Sequence, residues 1–71
     1  MNPELIRQLL RNQPFMPFEI HSSSGDVYQV RHPEQVFIAG NRLIIYYPEN
    51  DQIAFCSFMH VANVLQLAAS A

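Results

Sequence analysis

The fold is decided by the stretch Val36-Phe37-Ile38-Ala39-Gly40-Asn41-Arg42-Leu43-Ile44-Ile45-Tyr46-Tyr47. Two runs of β-branched, aliphatic and aromatic residues flank Gly40-Asn41, a pair typical of the two-residue primed turns that connect strands. The stretch therefore predicts a β-hairpin. Its second strand, Leu43–Tyr47, carries five consecutive apolar side chains, so both faces of that strand need to be covered.

A second hairpin is predicted on the N-terminal side of this stretch. Residues 18–23 alternate between apolar or small and polar side chains, which is the period of a strand with one buried face. Ser24-Gly25-Asp26 has turn chemistry, and Val27–Arg31 is predicted to be the returning strand. His32-Pro33-Glu34 then interrupts the strand, because Pro33 has no amide hydrogen to donate to a ladder.

The C-terminal side adds one or two strands. Pro48–Asp51 is predicted to be a turn, and Gln52–Phe58 a strand. The segment Val61–Leu67 fits either a last strand or a short helix. Its β-branched valines and Asn63 favour a strand that follows a tight turn at Met59-His60.

The N-terminal segment predicts a helix over residues 3–12. Asn2 can cap the first free amides, Pro3 fits the first helical position, and Glu4 lies where the helix dipole favours an acid. Asn12 and the following proline end the helix. Its apolar stripe spans about 140° of the helix surface and consists of Leu5, Ile6, Leu9 and Leu10.

These elements predict a mainly β protein with one N-terminal helix, folded as a single small domain over residues 1–71. The strands occupy residues 17–67, and residues 68–71 are expected to fray. Five or six short antiparallel strands bury one face when the sheet bends round on itself. We therefore expect a strongly bent sheet or a small SH3-like or Sm-like barrel, with the helix over an open end. The alternative is a flatter sheet with the helix across one face.

The composition excludes several classes of protein. Charged residues make up 14% of the 71, which is far too few for intrinsic disorder. The net charge is −2, and four arginines with no lysine argue against nucleic-acid binding by a single subunit. The single cysteine, Cys56, allows no intramolecular disulfide. With no signal-peptide pattern and no apolar run longer than Leu43–Tyr47, we expect a soluble cytoplasmic protein and no membrane partner.

The chain resembles two groups of proteins. The first is a family of small bacterial proteins, common in planctomycetes, with the pattern PFxPFxIHxSxG…VxHPE. The matching residues are Pro14-Phe15-Met16-Pro17-Phe18-Glu19-Ile20-His21, Gly25-Asp26 and Val30-Arg31-His32-Pro33-Glu34. This resemblance covers nearly the whole chain and implies membership, but it transfers no activity.

The second resemblance concerns the order of elements. A short N-terminal helix, a strand ending in a small-residue–Gly turn, and a histidine before the last apolar strand are similar to Sm-like RNA chaperones of the Hfq type. Those proteins form hexameric RNA-binding rings with a Lys-His pair before the last strand. The pair at that position here is Met59-His60. The resemblance implies a fold, and a function does not follow from a fold alone.

Three histidines are candidates for metal binding or catalysis. His21 follows Glu19 on one strand face, His32 precedes Glu34, and His60 lies four residues after Cys56. None of these spacings is that of a zinc site, which normally has three or four ligands in close pairs. Cys56 lies in an apolar strand, where we expect a small buried side chain rather than a nucleophile. We therefore expect structural histidines, no cofactor and no enzyme activity.

The surplus apolar surface favours a binding function. One short helix cannot cover both faces of the hairpin at residues 36–47, so we expect Phe37, Ile44 and Tyr46 to form a contact with another subunit. The first hypothesis is a non-enzymatic small β-barrel module that acts by self-association and by binding a protein partner. A symmetric dimer is the favoured assembly, and a ring is possible if edge strands pair head to tail. The alternative is an Sm-like RNA-binding ring that uses Arg31, Arg42 and His60. A metal-dependent enzyme is a third.

Overall fold

The computed structural model of the chain describes residues 2–67 and consists of one helix followed by six strands. The predicted class, mainly β with an N-terminal helix, is confirmed. The last segment is a strand, preceded by a short 3-10 turn at Phe58–His60. The expected fraying of residues 68–71 lies outside the described residues. The elements are α1 (Pro3–Arg11), β1 (Phe18–Ser22), β2 (Val27–Val30), β3 (Val36–Ala39), β4 (Arg42–Tyr47), β5 (Gln52–Ser57) and β6 (Val61–Gln66).

Helix α1 begins at the cap that the sequence indicates. The Asn2 side-chain oxygen Oδ1 accepts a hydrogen bond from the Glu4 amide at 2.9 Å, which satisfies one of the free amides of the first turn. Ile6 and Leu9 are buried in the core. Leu5 is 43% exposed, so the buried stripe is narrower than the sequence predicts. The helix therefore covers the core with one side of its apolar surface.

Replacing the cap is expected to weaken the fold measurably. Asn2→Ala removes the acceptor for the Glu4 amide, and we expect the free energy of unfolding to fall by about 0.5–2 kcal/mol. Urea denaturation followed by circular dichroism measures the change. Asn12→Ala, the same substitution at the other end of α1, is the control and should change stability by less than about 0.5 kcal/mol. Equal midpoints for Asn2→Ala and the wild-type chain would contradict the capping role.

The six strands form two antiparallel three-stranded sheets, with the orders β2-β1-β6 and β3-β4-β5. The predicted continuous bent sheet is therefore divided into two among the described residues. The division falls between β2 and β3, where Pro33 begins a 3-10 turn at Pro33–Gln35. Proline donates no hydrogen bond, so the strand ladder stops there. At the β3–β4 hairpin, Gly40 has the positive φ of 61° that the two-residue loop requires.

One core is shared by the two sheets and the helix. The side chains of Phe18, Ile20, Leu43 and Ile45 are fully shielded from solvent, and Ile6 of α1 packs with them. Cys56 belongs to this core, as expected for a small apolar side chain. The inner faces of both sheets are therefore covered. The remaining buried members are Leu9, Val30, Val36, Phe58 and Val61.

A buried glutamine bridges the break between the two sheets. The Gln35 side-chain oxygen Oε1 accepts hydrogen bonds from the amides of Arg31 at 2.7 Å and His32 at 3.0 Å. Its nitrogen Nε2 donates to the carbonyl of Tyr46 at 3.0 Å. One side chain thus satisfies three backbone groups where the ladder is interrupted, which buried backbone groups require.

Candidate functional site

The outer face of the β3-β4-β5 sheet is an apolar surface without a cover in the described chain. Phe37, Ile44 and Phe55 lie side by side in one row across the three strands, because Ile44 is paired with both phenylalanines. Tyr46 is paired with Ile53 in the next row. Phe37 is 65% exposed, Phe55 68% and Ile53 56%. We call these five side chains the apolar face.

The apolar face follows from the run at Leu43–Tyr47. Strand side chains alternate between faces, so Leu43 and Ile45 point into the core, while Ile44 and Tyr46 point outwards. Phe37, Ile44 and Tyr46, the predicted contact residues, do lie together on one surface. Ile53 and Phe55 were missed by the sequence analysis. Their register against β4 was needed to place them on the outer face rather than in the core.

The outer face of the other sheet is polar along its central strand, and its two exposed apolar side chains, Val27 and Leu65, lie in different rows on the flanking strands. The Glu19 carboxylate is hydrogen-bonded to the His21 ring at 3.1 Å and to the Gln29 amide at 3.3 Å, and Arg31 donates to Gln29 at 3.1 Å. The predicted pair of Glu19 and His21 is therefore formed. Residues 2–67 hold no group of three or more side chains suited to binding a metal ion. The contrast between the two sheets marks the apolar face as the surface that differs from an ordinary solvated one.

Opposite charges lie at the two ends of the apolar face. Arg42 begins β4 and is paired with Ala39 and Ser57, and its side chain has no ion pair or hydrogen bond within residues 2–67. At the other end, the Tyr46 hydroxyl donates to Asp51 Oδ1 at 3.0 Å. This hydrogen bond to a carboxylate raises the pKa of Tyr46. The surface is therefore cationic at one end and anionic at the other.

The three residues of the RNA-binding hypothesis are not brought together. Arg31 lies beside Gln35 and the Tyr46 carbonyl, at the end of β4 opposite Arg42. His60 lies at the Arg42 end, since the neighbouring Phe58 amide donates to the Asn41 carbonyl at 2.9 Å. Arg42 and Tyr46 are four residues apart on β4, which is roughly 13 Å along the strand, so Arg31 and Arg42 lie near opposite ends of it.

A cavity of about 270 Å³ lies between the β1–β2 turn and the end of β5, and its walls include Asp26, Tyr28, Cys56 and His60. The Ser24 hydroxyl donates to Asp26 at 3.1 Å, and this contact helps to close the turn. Burial raises the pKa of the Cys56 thiol, and the Asp26 carboxylate raises it further. The thiol is therefore neutral near pH 7, whereas a nucleophilic cysteine needs a lowered pKa.

Cys56 is accordingly expected to react slowly in the folded protein. Because its pKa is raised, the thiolate fraction at pH 7–8 is below that of a free cysteine, and burial blocks the reagent as well. We expect labelling by a disulfide reagent at pH 8 to be at least about tenfold slower in buffer than in denaturant. Equal rates in the two solvents would show that the thiol is accessible and would favour a role for Cys56 as a nucleophile.

Comparisons of the chain with protein-family models, curated proteins and solved structures found no match. The function proposed below is therefore derived from the geometry and chemistry of the described residues.

Proposed function

We propose that this chain is a non-enzymatic binding module that associates with itself, and with protein partners, through the apolar face. The observation that carries the proposal is the continuous row of Phe37, Ile44 and Phe55 on one outer sheet face. On the other sheet the exposed apolar side chains are separated by polar ones. In a chain with two fully packed inner faces, this row adds nothing to the core of the monomer. Covering it with a partner would stabilise the assembly.

The size of the apolar face is consistent with an interface core. Four of its side chains are from 37% to 68% exposed, and together they present roughly 400–500 Å² to solvent. A standard interface buries about 800 Å² on each partner, with an apolar centre and a polar rim. The apolar face supplies the centre, and the charged groups at its two ends belong to the rim.

A small SH3-like or Sm-like barrel is the finer description of the fold that we propose. Only residues 31–35, which include the 3-10 turn at Pro33–Gln35, separate β2 from β3, so the chain passes from one sheet into the other within a short bend. The Gln35 side chain maintains hydrogen bonding across the bend. A single core shared by both sheets supports this description. Such a barrel would present the apolar face on its outside.

The proposal is tested by the mass of the purified wild-type chain in solution. Light scattering coupled to size exclusion, at loading concentrations from about 5 to 200 µM, should give a mass that rises to twice that of one chain. The chain should remain in this state at 0.5 M NaCl, since an apolar contact is not weakened by salt screening. The mass of a single chain across the whole range would contradict self-association.

A ring that binds RNA is the second candidate. It is favoured by the order of the elements and by the placement of Arg42 and His60 at one end of the β4-β5 pair, because a ring would multiply one unpaired arginine into a collar. The same preparation distinguishes the two candidates. An absorbance ratio at 260 and 280 nm that falls after a high-salt wash, together with a mass of five chains or more, would support the ring. A protein spectrum without nucleic acid supports the apolar contact.

A further inference from the structure

We propose that the apolar face binds the same face of a second copy about a two-fold axis that crosses the strands, so that Arg42 of each protomer meets the partner's Asp51. This inference rests on the proposed self-association and specifies its geometry. It is carried by the charges at the two ends of the face, and by the position of the phenylalanine row between them.

The spacing of the outward side chains fits this arrangement. Ile44 is the centre of the apolar face, with Arg42 two residues before it and Tyr46 two residues after it on the same strand. Each step of two residues covers about 6.6 Å along a strand. When two such strands face each other in opposite directions about Ile44, each arginine lies across from the tyrosine of the other copy. That tyrosine is already hydrogen-bonded to Asp51.

A two-fold axis parallel to the strands would instead place like charges opposite each other across the contact. Both copies of Arg42 would lie at the same height, near the centre line of the contact, and the two Asp51 carboxylates would also meet. Like charges opposed across an interface disfavour that pairing. With the axis across the strands, each copy of Phe37 and Phe55 instead meets its own counterpart, and two aromatic side chains in contact prefer a stacked or edge-to-face arrangement.

The groups at the rim can make the proposed contact. Asp51 Oδ1 accepts from the Tyr46 hydroxyl, which leaves Oδ2 for a guanidinium. Arg42 has no side-chain partner to give up within the described chain. The ring of Tyr46 offers the same guanidinium a face for a cation–π contact. Because each copy contributes its whole apolar face to one isologous contact, no apolar face is left to bind a third copy. The assembly therefore closes at two copies and is not a ring.

Charge reversal with complementation tests the pairing. Arg42→Glu and Asp51→Lys are prepared separately, and each should raise the dimer Kd about tenfold at 50 mM NaCl. An equimolar mixture should form a heterodimer with near wild-type affinity, because both ion pairs are then restored, one of them reversed. Sedimentation velocity with one variant fluorescently labelled measures the mixture. Asp51 has a φ of 56°, which strains most side chains, so folding of Asp51→Lys is checked by thermal unfolding.

The neutral pair Arg42→Gln and Asp51→Asn gives a second measurement, since asparagine tolerates the Asp51 backbone conformation. The double variant should lose no more affinity than either single variant, as expected when both substitutions remove the same contact. Additive losses, or charge-reversal variants that each weaken the dimer but are not rescued by mixing, would overturn the pairing. Wild-type affinity for all of these variants, with a dimer that still dissociates on Ile44→Glu, would overturn the pairing and leave the proposed function intact. A monomeric wild-type chain would overturn both.

Discussion

Ile44→Glu is expected to raise the Kd of self-association by on the order of a hundredfold, because the charge would be buried without a partner at the centre of the contact. Ile44 lies between Phe37 and Phe55, so every arrangement that covers the apolar face also covers this position. Tyr46→Glu should act in the same direction and add repulsion from Asp51. Sedimentation equilibrium at three concentrations measures the dissociation constants.

Val27→Glu is the matched control for this experiment. Val27 is an apolar strand residue that is exposed on the other sheet, where it is paired with His21. Glutamate at that position is expected to leave both the fold and the dissociation constant unchanged. Thermal unfolding should show folded protein for both variants. If Ile44→Glu and Val27→Glu associate as tightly as the wild-type chain, the apolar face is not the contact.

Gln35→Leu is expected to lower the free energy of unfolding by about 3 kcal/mol, a large part of the stability of so small a domain. Leucine fills a similar volume, but it leaves the amides of Arg31 and His32 and the carbonyl of Tyr46 without their hydrogen-bond partner. Each unsatisfied buried polar group costs about 1–3 kcal/mol, although water can reach some of these groups after the change. Urea denaturation measures the loss.

Gln8→Leu provides the same chemical change on the exposed side of α1 and should alter stability by less than about 0.5 kcal/mol. The comparison separates the role of the bridging amide from the general effect of an added leucine. A loss below 1 kcal/mol for Gln35→Leu would mean that backbone hydrogen bonds or water hold the bend between the two sheets without help from this side chain.

Local chemistry made most of the secondary structure predictable. The helix cap at Asn2, the glycine of the β3–β4 loop and the alternation in β1 are signals that act within a few residues of the chain, and the structure agrees with each. The strand identity of Val61–Gln66 was also favoured by its β-branched residues. These features do not depend on distant parts of the molecule.

Features that depend on pairing between strands were less accessible. The burial of Cys56 was predicted, but only the register against β4 shows that the phenyl ring of its neighbour Phe55 points outwards. The break at Pro33 was visible in the sequence. The role of Gln35 at this break was not visible, because its side chain donates a hydrogen bond to the carbonyl of Tyr46, eleven residues away. The separation of Arg31 from Arg42 likewise follows from the length of β4.

Covering of the apolar face by a second copy can be observed directly through the methyl groups of the face. A soluble nitroxide broadens the NMR signals of exposed methyl groups. We compare this broadening in methyl-labelled wild-type protein at low and at high protein concentration. The signals of Ile44 and Ile53 should be strongly broadened in dilute protein and protected in concentrated protein. The signals of Val27 and Leu65, which are exposed elsewhere, should be broadened equally in both. If Ile44 and Ile53 stay as accessible as Val27 and Leu65 at every concentration, no second copy covers this face.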